Sequence, residues 1–197
     1  SVSNASETSD LPYYRNKGRL ERLVREAGME FTILRPALVF GPGDILLNNI
    51  AWFLRRAPVF GVFGDGTYRV QPVSLEGFAE LIIEELEASG SGSITDVAGP
   101  VDYSYMDMVR LIRAAVGSRA ALMRMPAPLA LAASWATGFV VRDVILTRDE
   151  ARGLVDEYLY SPNPRRVGIS LEQWLGRDDV RHDLGRAYSS ELQRHFR

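Results

Sequence analysis

A tyrosine and a lysine four residues apart, Tyr13 and Lys17, stand in the stretch YYRNK, and Lys17 is the only lysine in a chain with twenty-two arginines. If the stretch is helical, residues at i and i+4 share a face, so the phenol and the ammonium are neighbours. An ammonium beside a phenol favours the phenolate, which brings the tyrosine toward the range where it exchanges protons with a substrate hydroxyl or carbonyl. Arginine also carries charge, but its planar fork is a poor substitute for a compact ammonium that must donate to two vicinal hydroxyls. The pair is expected to act as an acid-base couple.

Other chemistries lack material. There is no cysteine and there are only two histidines, which leaves no thiolate metal site, no cysteine nucleophile and little for a histidine triad. The run RDDVRHD gathers Asp178, Asp179, His182 and Asp183 at a helix start, where carboxylates complement the dipole, so no metal is expected there. GPGD before Ile45 reads as a turn with Asp44 as N-cap rather than an anion cradle. No G-x-S-x-G elbow occurs. The net charge of -2, with arginines in scattered pairs such as Arg55-Arg56 and Arg165-Arg166, argues against nucleic acid as a partner.

The elements that must position the pair follow from apolar spacing. Asp10 and Pro12 start a helix that Gly28 ends, and Leu20, Leu23, Val24 and Ala27 mark its apolar face. Extending that face backwards places Lys17 and Tyr13 inward and Tyr14 outward, where Tyr14 is a candidate homodimer contact. MEFTILRP reads as a buried strand, VFGVFGDGTYRVQPV as two short strands around the Gly64-Asp65-Gly66 turn, and GSITDVAGP as another strand. Helices are expected from Asp44 to Arg56, Leu75 to Ala88 and Tyr105 to Val116, the last capped by Ser104. SLEQWL has capping-box spacing at Ser170 and Gln173, and the four-residue recurrence of Val180, Leu184, Tyr188 and Leu192 predicts an amphipathic tail helix. Alternating strands and helices indicate an α/β fold with a mostly parallel sheet.

The uncharged run from Met125 to Val141 spans seventeen residues, at the lower edge of a spanning helix of about 17–25 residues. Pro126, Pro128 and Gly138 favour a buried helix entered through prolines, with a peripheral membrane or quinone contact as the second reading. ASGSGS, Ala88 to Ser93, is a surface loop rather than a linker. The first ten residues, SVSNASETSD, lack the basic and apolar regions of a signal peptide, which together with the absence of cysteine fits the cytoplasm.

The order of these motifs is more specific than any one of them. Tyr13 and Lys17 behind Ser1 and Ser3, then FTILRPALVFGPGD, RVQPVSLEGFAE and ITDVAGP, resemble the C-terminal half of extended and atypical short-chain dehydrogenases/reductases. The nearest branch is that of the accessory nucleotide-binding subunit of respiratory complex I. The resemblance runs from Ser1 to about Val116, and more loosely to SLEQWLG.

It implies a doubly wound Rossmann-like sheet of which residues 1–98 form the C-terminal half, with 37–69 on the substrate side, and a mostly helical cover from 99 to 197. It implies NAD or NADP as cofactor and a small-molecule substrate. By the same resemblance Tyr13 is the general acid/base and Lys17 binds the nicotinamide ribose. Ser1, or less favourably Ser3, orients the substrate. Pro36, Ala37 and Leu38 lie along the nicotinamide, and Asn48, Arg69 and Gln71 are substrate-side residues. Two departures stand out. Ser74-Leu75-Glu76-Gly77 replaces the family's H-V-x-D run, and the glycine-rich phosphate loop is absent. The dinucleotide-binding half is therefore expected upstream of Ser1, and this chain alone is expected to bind a dinucleotide poorly.

Overall fold

The computed structural model describes residues 1–88, 92–126 and 148–184. The chain divides into two compact units that interleave in sequence: Ser1–Gly41, Arg69–Asp102 and Glu157–Leu171 in the first, and Pro42–Tyr68, Tyr103–Asp156 and Glu172–Arg197 in the second.

In the first unit, α1 (Pro12–Glu26) starts on a proline at its first turn, where the missing N–H is no loss, and stops before Gly28 at φ 69°. It leads to β1 (Thr32–Pro36), which pairs in parallel with β6 (Ser93–Ala98), Thr32 opposite Ser93 and Pro36 opposite Val97. The outer strand of this sheet is β9 (Arg165–Arg166), parallel to the end of β6. A second parallel pair joins β2 (Leu38–Phe40) to β5 (Pro72–Ser74), which follows the short β4 (Arg69–Val70). Gly99 allows the close approach of these layers, because a Cβ there would lie 2.1 Å from the Pro72 carbonyl oxygen.

Helix α3 (Leu75–Glu87) is capped by Ser74, whose Oγ accepts from the Gly77 N–H. Its Leu81 joins Val73 and Val97 in a core that Leu34, Val39, Phe78 and Val167 complete. The expected strands at MEFTILRP and GSITDVAGP and the helix from Leu75 are thus present, and the parallel pairing agrees with the α/β assignment.

The second unit holds α2 (Ile45–Arg56) and α4 (Tyr105–Ala115), which pack on each other. Leu47, Ile50, Ala51 and Leu54 on one and Met108, Val109 and Ile112 on the other are buried, as the helical spacing requires. Ser104 caps α4 by accepting from the Asp107 N–H at 3.1 Å. Beyond this pair lie β7 (Tyr103–Ser104), α5 (Arg148–Val155), α6 (Leu171–Leu175) at the predicted capping box, and α7 (Asp178–Asp183). Val180 and Leu184 are buried, and Arg55 holds the end of α7 through the carbonyls of Leu184 and Arg181. The continuation of that helix to Leu192 and the apolar run after Pro126 lie outside the described residues. Among those described, no helix is long and apolar enough to cross a membrane.

The two expected strands around Gly64-Asp65-Gly66 are present, β3 (Val59–Phe63) before the turn and β4 after it; β3 lies parallel to β8 (Ala121–Met125), Val59 opposite Ala121. The turn itself forms, with Gly64 and Gly66 at φ 62° and 72° and Asp65 Oδ1 accepting from the Thr67 N–H, but it redirects the chain instead of closing a hairpin. ALMRM has little alternation to announce a strand, and only its distant partner makes it one.

Asp44 caps α2, accepting from the Leu47 N–H at 2.8 Å. Burial outweighs that hydrogen bond and raises its carboxyl pKa from the usual 3.8 to about 6. A carboxyl raised on folding binds its proton more tightly in the folded state, so stability on its account is greatest below its unfolded value and falls as pH rises through about 6. Asparagine keeps the cap without the charge. Asp44→Asn is expected to stabilise the protein by about 1–2 kcal/mol near pH 7.5. Thermal melts at pH 7.5 and near pH 4 check this, the advantage being absent at the lower pH.

Candidate functional site

The face that α1 buries differs from the one its leucines mark. Tyr14, Gly18 and Glu21 are buried, whereas Tyr13, Leu20 and Leu23 are 55%, 52% and 59% exposed. The inward placement of Tyr13 and the outward placement of Tyr14 are therefore exchanged, and Tyr14 faces the body of its own chain. Its ring packs on Tyr158 with centroids 4.3 Å apart, and burial, with the neighbouring phenols of Tyr13 and Tyr158, pushes its hydroxyl up to about 12. Gly18 sits beneath the Ser6-Glu7 backbone, where a Cβ would come within 2.5 Å of the Glu7 nitrogen.

Glu21 pins α1 to the sheet. Both its carboxylate oxygens accept from Arg35 on β1, one from Nε at 2.8 Å and the other from the Nη2 nitrogen. The Glu21 side chain is only 4% exposed and that of Arg35 22%. Burial alone raises the Glu21 pKa, but hydrogen bonds from Arg35 and Ser1 and the guanidinium charge overcome it and hold the carboxyl below its ordinary value.

Tyr13 and Lys17 do share a face: the Lys17 ammonium lies 5.7 Å from the centre of the Tyr13 ring. Lys17 makes no ion pair with a carboxylate among the described residues, and its charge is felt at the Ser1 nitrogen. The expected lowering of the phenol is not found. Partial burial raises the Tyr13 hydroxyl above its usual value, so the group is held protonated, a proton donor rather than a phenolate. The cation lies over the ring of a half-exposed side chain, where solvent weakens its effect on the oxygen.

Ser1 to Ser3 run alongside β1, the backbone nitrogens of Ser1 and Ser3 donating to the Leu34 and Pro36 carbonyls at 2.9 and 3.0 Å. That alternation is the pattern of a parallel strand pair. Ser1 is exposed; Ser3 is 1% exposed and its hydroxyl donates to the Tyr158 carbonyl at 2.9 Å. At the end of β1, Pro36 is buried and the Ala37 N–H is taken by the Val97 carbonyl at 3.2 Å, with Leu38 opening β2.

The substrate-side candidates have separate surroundings. Arg69 stacks on Tyr160 at 3.6 Å and is bound edge-on by Glu157, with Nε at 3.0 Å from Oε1 and Nη2 at 2.5 Å from Oε2. Gln71 is fully buried; its Nε2 donates to the Ser161 carbonyl and its Oε1 accepts from the Ser161 N–H, at 3.0 and 2.8 Å. Its amide thus serves as a piece of backbone that holds residues 157–161. Asn48, in the second unit, donates from Nδ2 to the Asp44 carbonyl at 2.7 Å. Glu76, in the run Ser74-Leu75-Glu76-Gly77, is exposed in the first turn of α3.

Residues 157–161 form a strap unannounced by any motif. Asn4 Nδ2 donates to the carbonyls of Tyr158 and Tyr160, the Ser9 and Tyr158 hydroxyls are hydrogen-bonded, and Ser161 Oγ donates to Asp96. Asn4 and Glu157 are the two non-glycine residues with positive φ among those described, at 57° and 54°. Such conformations persist where surrounding bonds over-determine them, and here those bonds fasten the strap beside Asp96 of β6 and Gln71 just before β5. The signal available in sequence was Tyr158 and Tyr160 between charged segments, which carries no periodicity. No group of three or more residues suited to a metal ion occurs among those described.

No protein-family model matches the chain. It is 27% identical over 173 residues to the mitochondrial NADH dehydrogenase [ubiquinone] 1 alpha subcomplex subunit 9 of Arabidopsis thaliana, covering 83% of this chain and 43% of that protein. The subunit of the same name from Dictyostelium discoideum is 27% identical over 113 residues, 57% of this chain and 32% of its own length. The chain thus spans less than half the length of these relatives. Among solved structures, the NADPH-dependent quinone oxidoreductase of Escherichia coli with NADPH superposes with a TM-score of 0.68 at 16% identity, covering 89% of this chain and 62% of that one. The dTDP-glucose 4,6-dehydratase of Bacillus anthracis with NAD gives 0.57 at 12% identity, covering 89% and 53%. The α/β fold with parallel strands is similar to the Rossmann fold of these NADP- and NAD-bound structures, and the sequence relatives are NADH dehydrogenase subunits.

Proposed function

Starting from that shared fold, we propose that the chain is the Tyr/Lys-bearing C-terminal half of an NAD(P)-dependent oxidoreductase or epimerase. The observation that supports this most is the pairing on α1: an ammonium with no carboxylate partner among the described residues, 5.7 Å from the ring of a half-exposed phenol. A nicotinamide, when bound, supplies or accepts the hydride. Tyr13, held protonated, donates its proton to the substrate carbonyl oxygen as that carbon is reduced, and recovers it in the reverse direction. Lys17 donates to the ribose hydroxyls. Its compact charge also stabilises the phenolate left after transfer.

Ser1 orients the carbonyl, while the Ser3 hydroxyl is committed to the strap. Pro36, Ala37 and Leu38 border the nicotinamide, since ligands of open parallel sheets lie outside the carboxyl ends of the strands. Arg69, its charge paired with Glu157 and its plane stacked on Tyr160, serves the substrate side through the strap it holds. Gln71 acts through the strap it anchors. NAD and NADP fit this half equally, because the residue that reads the ribose belongs to the half expected upstream.

The relatives' names, subunits of NADH dehydrogenase [ubiquinone], favour a second reading, a subunit of an assembly; in that reading the chain is a nucleotide-binding accessory subunit without turnover, with a peripheral membrane or quinone contact. A redox-sensing regulator is a variant of it. The experiment that separates them is carbonyl-dependent NADPH oxidation by the gene product extended upstream of Ser1. Oxidation dependent on Tyr13 supports the enzyme; binding with no oxidation across carbonyl substrates and quinones supports the subunit.

A further inference from the structure

A chain of three ring contacts within the first unit ends on the phenol read above as the proton donor. Tyr158, on the strap, packs on Tyr14 with centroids 4.3 Å apart and planes at 49°, and Tyr14 meets Tyr13 edge to face, 5.2 Å apart at 88°. The core cluster around Val73, Leu81 and Val97 does not include these rings. Tyr14 is buried, so its ring is fixed by its surroundings, whereas Tyr13 is half-exposed. An exposed side chain changes rotamer within nanoseconds, yet a proton donor acts only from a narrow range of positions. Something has to hold the Tyr13 ring, and Tyr14, backed by Tyr158, lies against it.

Tyr158 is itself held from two directions. On one side its carbonyl accepts from Ser3 Oγ and Asn4 Nδ2, both at 2.9 Å, while Gln71 grips Ser161 and Arg69 grips Glu157 at the two ends of the strap. On the other side the Tyr158 and Ser9 hydroxyls are hydrogen-bonded at 3.3 Å. The same Ser9 Oγ accepts from the Leu11 N–H at 3.2 Å, and the Ser9 carbonyl accepts from Arg15 Nη1 at 3.1 Å. Leu11 is the N-cap of α1, and Tyr13 is the second residue of that helix. Ser9 therefore joins the strap to the turn that carries Tyr13, and Tyr158 reaches that turn twice, through its hydroxyl and through the ring of Tyr14.

We propose that Tyr158 is a positioning residue for Tyr13, restricting, through the Tyr14 ring and Ser9, the rotamer from which the Tyr13 hydroxyl meets the substrate carbonyl. This rests on the reading of Tyr13 as the proton donor and adds the residue that keeps it in place. The strap then acts on the reaction through one side chain, although no strap residue touches the reacting atoms.

The test reads the full-length gene product in two ways: the Tyr13 χ1 rotamer populations from NMR scalar couplings, and NADPH-dependent carbonyl reduction. Tyr158→Met keeps bulk without a planar ring. It is expected to spread Tyr13 over more than one rotamer and to lower kcat by about tenfold or more, with KM within about twofold of the parent. Tyr158→Phe keeps the ring and should return both readouts close to the parent. In the Tyr13→Phe background Tyr158→Met should cost no further kcat, because no donor is left to position, whereas a merely structural role costs the same in both backgrounds. Asn4→Gly suits the φ of 57° and deletes both hydrogen bonds of Asn4 to the strap, so it should move both readouts in the same direction by less, and it serves where Tyr158→Met does not fold. Unchanged Tyr13 rotamers in these variants, altered rotamers with unchanged kcat, or an equal loss of kcat with and without the Tyr13 hydroxyl overturns the proposal. A gene product that reduces no carbonyl but shows the rotamer change removes the proton-donor reading and supports the coupling of Tyr158 to Tyr13.

Discussion

Tyr13→Phe in the gene product extended upstream of Ser1 is expected to bind NADPH as the parent does and to lose carbonyl reduction by about 10²–10⁴-fold, the usual contribution of a positioned proton donor. The side chain is 55% exposed and its ring contact with Tyr14 survives in phenylalanine, so stability should change by less than about 0.5 kcal/mol. That combination separates a chemical role from a structural one. Because partial burial raises the Tyr13 hydroxyl, reduction should show no loss of the donor on the alkaline side until pH exceeds the ordinary tyrosine value of 10.0. Stopped-flow NADPH oxidation as a function of pH reads both effects.

Glu21→Gln is expected to destabilise the chain by about 3 kcal/mol. Glutamine is nearly the same size, but it leaves the Arg35 guanidinium, 22% exposed, without its counter-charge. Removing one partner of a buried pair exposes the other's desolvation, which exceeds what the intact pair contributes. The pH dependence has a definite sign. A carboxyl held below its ordinary 4.5 by Arg35 contributes stability above that value and loses it as acid protonates it through the lowered folded pKa. Urea unfolding of parent and variant should therefore differ most near neutrality and converge in acid. Since this pair ties α1 to β1, the variant should also weaken any activity that depends on how α1 presents Tyr13.

The sheet and helices could be read from the chain because local rules set them. Asp44 and Ser104 cap where short polar residues precede apolar periodicity, and TILRP and SITDVA are β-rich segments closed by Pro36 and by Gly99-Pro100. The inward face of α1 could not be read this way. It consists of Tyr14, a glycine required by backbone crossing, and a glutamate whose partner is fourteen residues away, and none of these registers as hydrophobic. Leu20 and Leu23 misled because they look like core and are solvent-facing in this chain.

Gln71 shows the same limit. A polar residue in a strand invites a functional reading, yet its amide completes a backbone pairing with Ser161, ninety residues on. The pairing of β3 with β8 depends likewise on long-range packing and leaves no local sign. The juxtaposition of Tyr13 and Lys17 was legible because four-residue spacing on a helix is sufficient to produce it. The direction of the phenol's pKa was not, since it depends on how far the surroundings exclude water.

The central claim is that this chain supplies one half of a dinucleotide site. Titration of NADPH by nicotinamide fluorescence tests it most directly, with the chain 1–197 and the extended gene product side by side. The account predicts saturable enhancement in the extended protein and none in 1–197 over the same range. Saturation of 1–197 with equal affinity, or no binding by either protein, contradicts it.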